Sequence, residues 1–488
     1  MSIPLRPKEI KIPDANPFKH DLLDRKKPAE VLTHVVSSFR GPGVVAIDAA
    51  WGTGKTTFLR MWSRKLRNDE FTIVEFNAWD TDFAADPFLA LSTELQAGLE
   101  SAAVDIPTDA KQGIKKWSKE ILRHGVPELV RLAVGSVPVV GAVSGRITES
   151  VMDQFTESRV SSYTATKQAV SGFRSALGRA AEAVFESSDT KPLIVIIDEL
   201  DRCRPTYAVE LLETAKHLFS VDHVVFVLAI NRPQLVHSIC SLYGQGFDAN
   251  TYLLRFIDAY IRLPTPNRDA LVTRGLYIAG LSEASSKSKD RSTRMEASMV
   301  KETLAEILRM SSIDVRTVLQ ALHRLGLVVR STPGNYPALL FSSALATVVL
   351  VHHEEICHKL SAGRATDEEV INAVRSHCSV RDWNNSDETP FFEATIIRLI
   401  VDQSSDESPY SRTPLFAAYE ETLRENPEPD DGGPQPMEIR RLRKIQRFIE
   451  RWRTMGRLKG SGFASEFNFA VARLNMVSGV AARDWVRT

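Results

Sequence analysis

A chain of 488 residues, 43% hydrophobic and 25% charged, has an ordinary globular composition and a length suited to about three domains. That excludes a disordered chain, a collagen-like chain and an integral membrane bundle. Lysine plus arginine numbers 61 and aspartate plus glutamate 61, so the zero formal net charge argues against a globally basic nucleic-acid binder and leaves only local basic patches.

The opening MSIPLRPKEIKIPD lacks the apolar run of a secretory signal. The four cysteines, Cys203, Cys240, Cys357 and Cys378, include no CxxC pair and suit a reducing compartment, so the expected location is cytoplasmic. Five short β-rich runs follow in chain order: Val44–Asp48, Phe71–Asn77, Leu193–Asp198, Val224–Ile230 and Ala259–Leu263. The middle ones are apolar throughout, as strands covered on both faces should be, and helical patterns separate the runs. This predicts an α/β fold with a parallel sheet wrapped by helices.

The first and third runs are further apart than one helix and one strand require, so residues 96–190 are expected to be a helical insertion into a core of 28–95 and 191–268. Residues 1–27 lead into that core. Pro264 and Pro266 break the pattern before a small helical domain at 269–335, and a helical C-terminal region fills 336–488. The apolar stretch Leu129–Gly145 contains Arg131 and Pro138 and falls short of the roughly 20 residues of a spanning helix, so a buried or surface segment is favoured over membrane contact.

The chemistry is concentrated at two strand ends. After the first strand comes Ala49-Ala50-Trp51-Gly52-Thr53-Gly54-Lys55-Thr56-Thr57, followed directly by a helical run. Gly52 and Gly54 allow a tight turn whose N–H groups, with the helix N-terminus, would hold phosphate oxygens. Lys55 would reach the β- and γ-phosphates, and the Thr56 hydroxyl would bind Mg2+. Ala49 stands where the strict P-loop pattern has glycine. The third strand ends in Asp198-Glu199, where Asp198 would hold Mg2+ and Glu199 would orient and deprotonate the attacking water. The ligand crevice of an open α/β sheet lies at the carboxyl ends of its strands, which is where both motifs fall. Asn231, closing the fourth strand, is either a γ-phosphate sensor or a helix cap.

These residues resemble the KAP family of P-loop NTPases, through AWGTGKTT at 50–57, EFNAWD at 75–80, LIVIIDELDRCRP at 193–205, FVLAINRPQLVHSI at 226–239 and TYLLRFIDAYIRLP at 251–264. NPFKHDLLDR at 16–25 is similar to the family's opening segment, and the likeness runs over roughly residues 16 to 330. The resemblance implies a P-loop NTPase core with a five-stranded sheet in the order 5-1-4-3-2, a helical lid, ATP as the nucleotide, and a soluble bacterial branch associated with mobile-element or anti-phage defence loci. It also implies a basic role for Arg255 just before the fifth strand. Asn231 departs from the aspartate of many relatives.

Other signals are weaker. Arg316, in SSIDVRTVLQALHRL, looks like a lid arginine that could close on nucleotide, and Arg202 follows the acidic motif; each also reads as a salt-bridge arginine. A finger acting in trans would need a homo-oligomer. Trp51 and Trp79 could stack on a base or on substrate, but core packing is favoured. The cluster from His352 to His358, with His377 and Cys378, misses the HExxH spacing and reads better as an amphipathic helix than as a metal site. The helix at 438–459 is basic and amphipathic, Arg440–Lys459 carrying nine Lys/Arg against the single acid Glu450; it would meet nucleic acid, an acidic membrane or a partner, or else be balanced by the acidic loop before it.

The expected protein is a Mg2+-dependent ATP-hydrolysing switch or motor with protein partners. The alternatives are a nucleotide-binding scaffold with little turnover, and a P-loop kinase.

Overall fold

The computed structural model describes residues 11–83, 86–124, 149–216, 218, 220–265, 267–279, 291–331, 353–403, 412–429, 435–454, 465 and 467–472. The apolar stretch at 129–145 and His352 lie outside these residues. The described chain falls into two compact units, Lys8–Pro266 and Asn267–Thr488.

The first unit is built on the strands β1 (Gly43–Asp48), β2 (Ile73–Asn77), β3 (Leu193–Asp198), β4 (Val224–Ile230) and β5 (Ala259–Arg262). They pair in parallel in the order β2-β3-β4-β1-β5, the order that the family resemblance implies. The fourth strand therefore separates the P-loop strand from the acidic strand. Alternation explains the unbroken apolar runs. Val45, Ile47, Ile194, Ile196, Val225 and Val227 pack under α1 (Lys26–Ser38) and α2 (Lys55–Asn68). Val44, Ala46, Val195, Ile197, Phe226 and Leu228 pack under the helices of the other face, so both pleat faces are dry.

Those helices are α3 (Pro87–Glu100), α4 (Thr108–His124), α5 (Glu149–Ser187), α6 (Pro205–Ala215), α7 (Arg232–Tyr243) and α8 (Ala249–Leu253). The described residues between α3 and β3 form the two long helices α4 and α5. They run antiparallel: Gly113 meets Ala176, and Gly172 lies so close to the Trp117 indole that an added Cβ would sit 2.3 Å from it. Phe88 of α3 and Phe173 of α5 meet edge to face, centroids 5.3 Å apart, tying the insertion to the sheet.

The second unit is helical: α9 (Asp269–Ala279), α10 (Arg291–Met310), α11 (Val315–Ser331), α12 (Glu354–Ser361), α13 (Asp367–Arg375), α14 (Val380–Asn385), α15 (Thr389–Gln403), α16 (Pro414–Glu425) and α17 (Met437–Thr454). Every residue of α15 from Thr389 to Val401 is buried, as its nearly all-round apolar sequence requires. The buried Asp367 carboxylate accepts from the N–H groups of Leu415 (3.2 Å) and Phe416 (2.9 Å), capping the start of α16 from a different helix.

The basic helix α17 is less free than its charge suggests. Its apolar stripe of Ile439, Leu442, Ile445, Ile449 and Trp452 is buried. Arg441 is buried against Glu393, Lys444 pairs with Asp387, and Arg443 and Arg447 reach Glu428 at 3.7 and 3.1 Å. Glu428 belongs to the preceding acidic loop, so balancing by that loop holds for these two arginines. Arg440, Arg451 and Arg453 are exposed, and residues 455–459 are not among those described.

Candidate nucleotide site

The loop after β1 is held on both sides by backbone. The Ala49 N–H donates to Ile230 O at 3.0 Å, and Asp48 Oδ1 accepts from the Arg232 N–H at 3.0 Å, locking the ends of β1 and β4 together. Gly52 (φ 77°) and Gly54 (φ 85°) take the left-handed conformation that a side chain resists. Gly54 is also the N-cap of α2, so the unpaired N–H groups of that helix open onto the loop. Ala49 is buried and is not among the positive-φ residues, so the loop does not need glycine there.

Sequence reasoning missed Arg25, which is only 1% exposed. Its guanidinium donates to Thr53 O (3.1 Å) and to Pro264 O (2.6 Å), joining the phosphate loop to the chain that leaves β5. Burial pulls its pKa below the usual arginine value, opposed by nearby Asp21. Leu23 packs beside Gly54, its Cδ1 3.1 Å from where a Cβ would stand. The segment at 16–25 therefore buttresses the loop.

The acidic strand faces the first turn of α2. Asp198 accepts the Glu199 N–H at 2.8 Å. The Thr56 hydroxyl donates to Glu199 Oε1 at 3.3 Å and stands close enough to Asp198 to favour its ionised form. Glu199 is buried and has a positive φ of 61°, a conformation strained for a side chain. Arg202 Nη1 lies 2.6 Å from Glu199 Oε1.

The turn Leu200–Arg202 carries a second missed residue, Asp201. It is buried, lies 3.5 Å from Lys55 Nζ and accepts the Trp51 indole N–H. Burial lowers the Lys55 pKa, and Asp201 and then Asp198 oppose that shift. Asp201 was legible as one more acid in the ELDR run, but nothing in that run says which ammonium it would meet.

Burial, more than the Glu199 charge, pushes the Asp198 carboxyl from 3.8 up to about 6. The native state therefore keeps a proton that the unfolded chain gives up between those values, and stability falls as pH rises through that window. Above it the ionised carboxylate costs about 3 kcal/mol, the equivalent of two pH units. Asp198→Asn is expected to raise the melting temperature of the nucleotide-free protein, more at about pH 8 than at about pH 5. Equal shifts at both pH values would contradict this.

Other predicted residues fall unevenly. Ala50 is exposed, and Thr53 and Thr57 are half-buried in the loop and first helical turn. Asn231 is buried at the end of β4 beside the loop, at the N-cap of α7, though its side chain makes no capping bond. Arg255 is exposed, 5.9 Å over the Tyr252 ring, and precedes β5, at the end of the sheet opposite the crevice. The structure does not bring it to the site of its own chain. Arg316 is exposed on α11 of the other unit. Trp51 and Trp79 correct the core expectation, being 44% and 51% exposed. Both stand on loops; the Trp51 N–H is used by Asp201, and Arg202 lies 5.6 Å over the Trp79 ring.

The His/Cys cluster does not assemble. The His353 and His377 rings are 5.2 Å apart, but burial pushes the Cys357 and Cys378 thiols up to about 12 and 11, against metal-ready thiolates. Among the described residues no group of three or more His, Cys, Asp or Glu could hold a metal ion, and no helix is long and apolar enough to cross a membrane.

A family model described as the KAP family P-loop domain matches residues 25–332, more than half of the chain. The Phage T7 exclusion protein of Escherichia coli (strain K12) is 26% identical over 240 residues, 46% of this chain and 30% of that protein, so the match spans under a third of the relative's length. The solved structure of the Aeropyrum pernix ORC2 protein in its ADPNP–ADP complexes is similar across 96% of this chain and 97% of that one, at 12% identity and a TM-score of 0.29.

Proposed function

Because the chain belongs to the KAP family of P-loop domains, we propose that it binds Mg2+-ATP at the ends of β1 and β3, hydrolyses it, and uses the cycle as a switch or motor in a bacterial defence or mobile-element system. One observation carries the reading: Lys55 and Thr56, from the P-loop helix, meet Asp198, Glu199 and Asp201, from the acidic strand and turn, in one crevice.

The donor set suits magnesium. The Thr56 hydroxyl and the Asp198 carboxylate are hard oxygens, and Asp198 is a desolvated carboxylate that a cation would relieve. When bound there, magnesium supplies positive charge to the β- and γ-phosphate oxygens. Lys55 leaves Asp201 for those same oxygens, and the amides around Gly52–Gly54 and the α2 N-terminus hold the rest. Glu199 orients water and takes its proton, while Asn231 reads the γ-phosphate. Arg316 is assigned to lid closure and Arg255 to action in trans within a homo-oligomer.

The similarity to a phage T7 exclusion protein supports the defence setting. Partner proteins, and nucleic acid at the exposed arginines of α17, are assigned as the readout. A nucleotide-binding scaffold with little turnover is the second reading, favoured by the contacts that hold Glu199 at rest.

Calorimetry with Mg2+-ATP, paired with phosphate release, tests the proposal. Lys55→Ala should weaken binding about 100-fold, since a buried cation facing phosphate contributes about 3 kcal/mol. Equal heats from wild type and Lys55→Ala would refute it.

A further inference from the structure

Two groups compete for the Glu199 carboxylate. The Thr56 hydroxyl is 3.3 Å away and the Arg202 guanidinium 2.6 Å. The first would be given up if Thr56 turned to a metal ion. The second would remain, since the pair joins Arg202 to Glu199 and to none of the residues that would hold the metal.

We propose that Arg202 is a positioning residue that brakes hydrolysis by holding Glu199 away from the attacking water. The inference rests on the hydrolytic reading above and adds a regulator to it. In that reaction the water oxygen bonds to the γ-phosphorus, the bond to the ADP oxygen breaks, and the water proton passes to Glu199. An oxygen already holding a guanidinium at 2.6 Å is poorly placed to accept that proton.

The geometry favours a brake over an incidental surface pair. The Glu199 side chain is 9% exposed and that of Arg202 27%, so water screens the pair only partly. Glu199 also has a strained φ of 61° that its surroundings must hold in place. Arg202 also has a contact it can keep: while paired with Glu199 its guanidinium already lies 5.6 Å over the ring of Trp79, whose loop is tied to the chain just after the turn through Arg204 and Asp82 at 3.0 Å. Release of Glu199 therefore does not require Arg202 to move into open solvent.

Steady-state phosphate release from Mg2+-ATP should show Arg202→Ala turning over about five to ten times faster than wild type, with KM within about twofold. Arg202→Lys, which keeps the cation without its planar fork, should fall between them. The double variant Arg202→Ala/Glu199→Gln should be as slow as Glu199→Gln alone, since the gain must run through the Glu199 carboxylate; a gain that survives Glu199→Gln would overturn the brake. Should Arg202→Ala fail to bind nucleotide in calorimetry, Arg202→Gln carries the same comparison. A tenfold fall in kcat would make Arg202 a transition-state contact and overturn the brake; an unchanged kcat would reduce it to a structural pair. Equal turnover by Arg202→Ala and Arg202→Ala/Glu199→Gln, together with measurable and equal turnover by wild type and Glu199→Gln, would instead remove the hydrolytic reading on which the brake depends. A wild type that binds but does not turn over, beside an active Arg202→Ala, would be the strongest support.

Discussion

Glu199→Gln should lower single-turnover ATP hydrolysis by about 100- to 10,000-fold, the range that a positioned general base contributes. Mg2+-ATP affinity should hold or tighten. Glutamine keeps an oxygen for the Thr56 and Arg202 contacts, so the local hydrogen bonds have a replacement partner. It cannot accept a proton from water. It also removes a like charge that helps to raise the Asp198 carboxyl to about 6, so Asp198 ionises more readily and meets magnesium better. The paired measurement is chemical quench for turnover and calorimetry for binding. Hydrolysis near the wild-type rate would show that another group, or none, handles the proton. Loss of binding together with turnover would show that Glu199 supports the structure of the crevice.

The sheet was readable because each central strand is apolar on both faces, and Val224–Ile230 is buried at every position. The P-loop and the acidic strand were readable for a different reason: phosphate and magnesium demand particular side chains within a few residues of a strand end. The sheet order was not readable from periodicity, which is blind to which neighbours pair; it came from the family resemblance. What stayed hidden were contacts across long sequence separations. Arg25 reaches Thr53 and Pro264 only because β1 and β5 lie side by side, and no local pattern marks it. Trp51 and Trp79 were misplaced for the opposite reason. Bulk favours burial on average, yet both lie on the rim of a crevice where loop geometry prevails. Arg255 matched a family position, but four residues before β5 is the wrong end of a parallel sheet for a site built on strand C-termini.

The C-terminal helices show the same limit in energetic form. The apolar stripe of α17 was visible in the spacing of Leu442, Ile445, Ile449 and Trp452, and so was its positive charge. The sequence does not say that one of those arginines points inward. Arg441 is buried on a carboxylate 48 residues earlier, in the first half of α15, whose sequence is mostly apolar. An exposed basic face and a buried counter-ion look alike in composition, and they differ by several kcal/mol in what their loss would cost.

Glu393→Ala should therefore destabilise the second unit by about 3–5 kcal/mol, the usual penalty for stranding one partner of a buried pair. Glu393 is fully buried, and three groups converge on it: the Trp383 indole at 2.8 Å, the Tyr419 hydroxyl at 3.2 Å and the Arg441 guanidinium. Burial first, and then the Glu393 charge, push the Tyr419 phenol up, so it stays protonated and able to donate at neutral pH. Removing the carboxylate leaves a cation and two donors facing a cavity, with Arg441 Nε already without a partner. Replacing both charges, as Glu393→Leu with Arg441→Met, should cost far less than the single change, because no charge is then left in the dry interior. Urea unfolding of the full chain would measure both variants. Nucleotide should shift the transition of the other unit, which identifies the one that belongs to α15. A loss below about 1 kcal/mol for Glu393→Ala would mean that water reaches Arg441 and that the pair is in effect a surface contact.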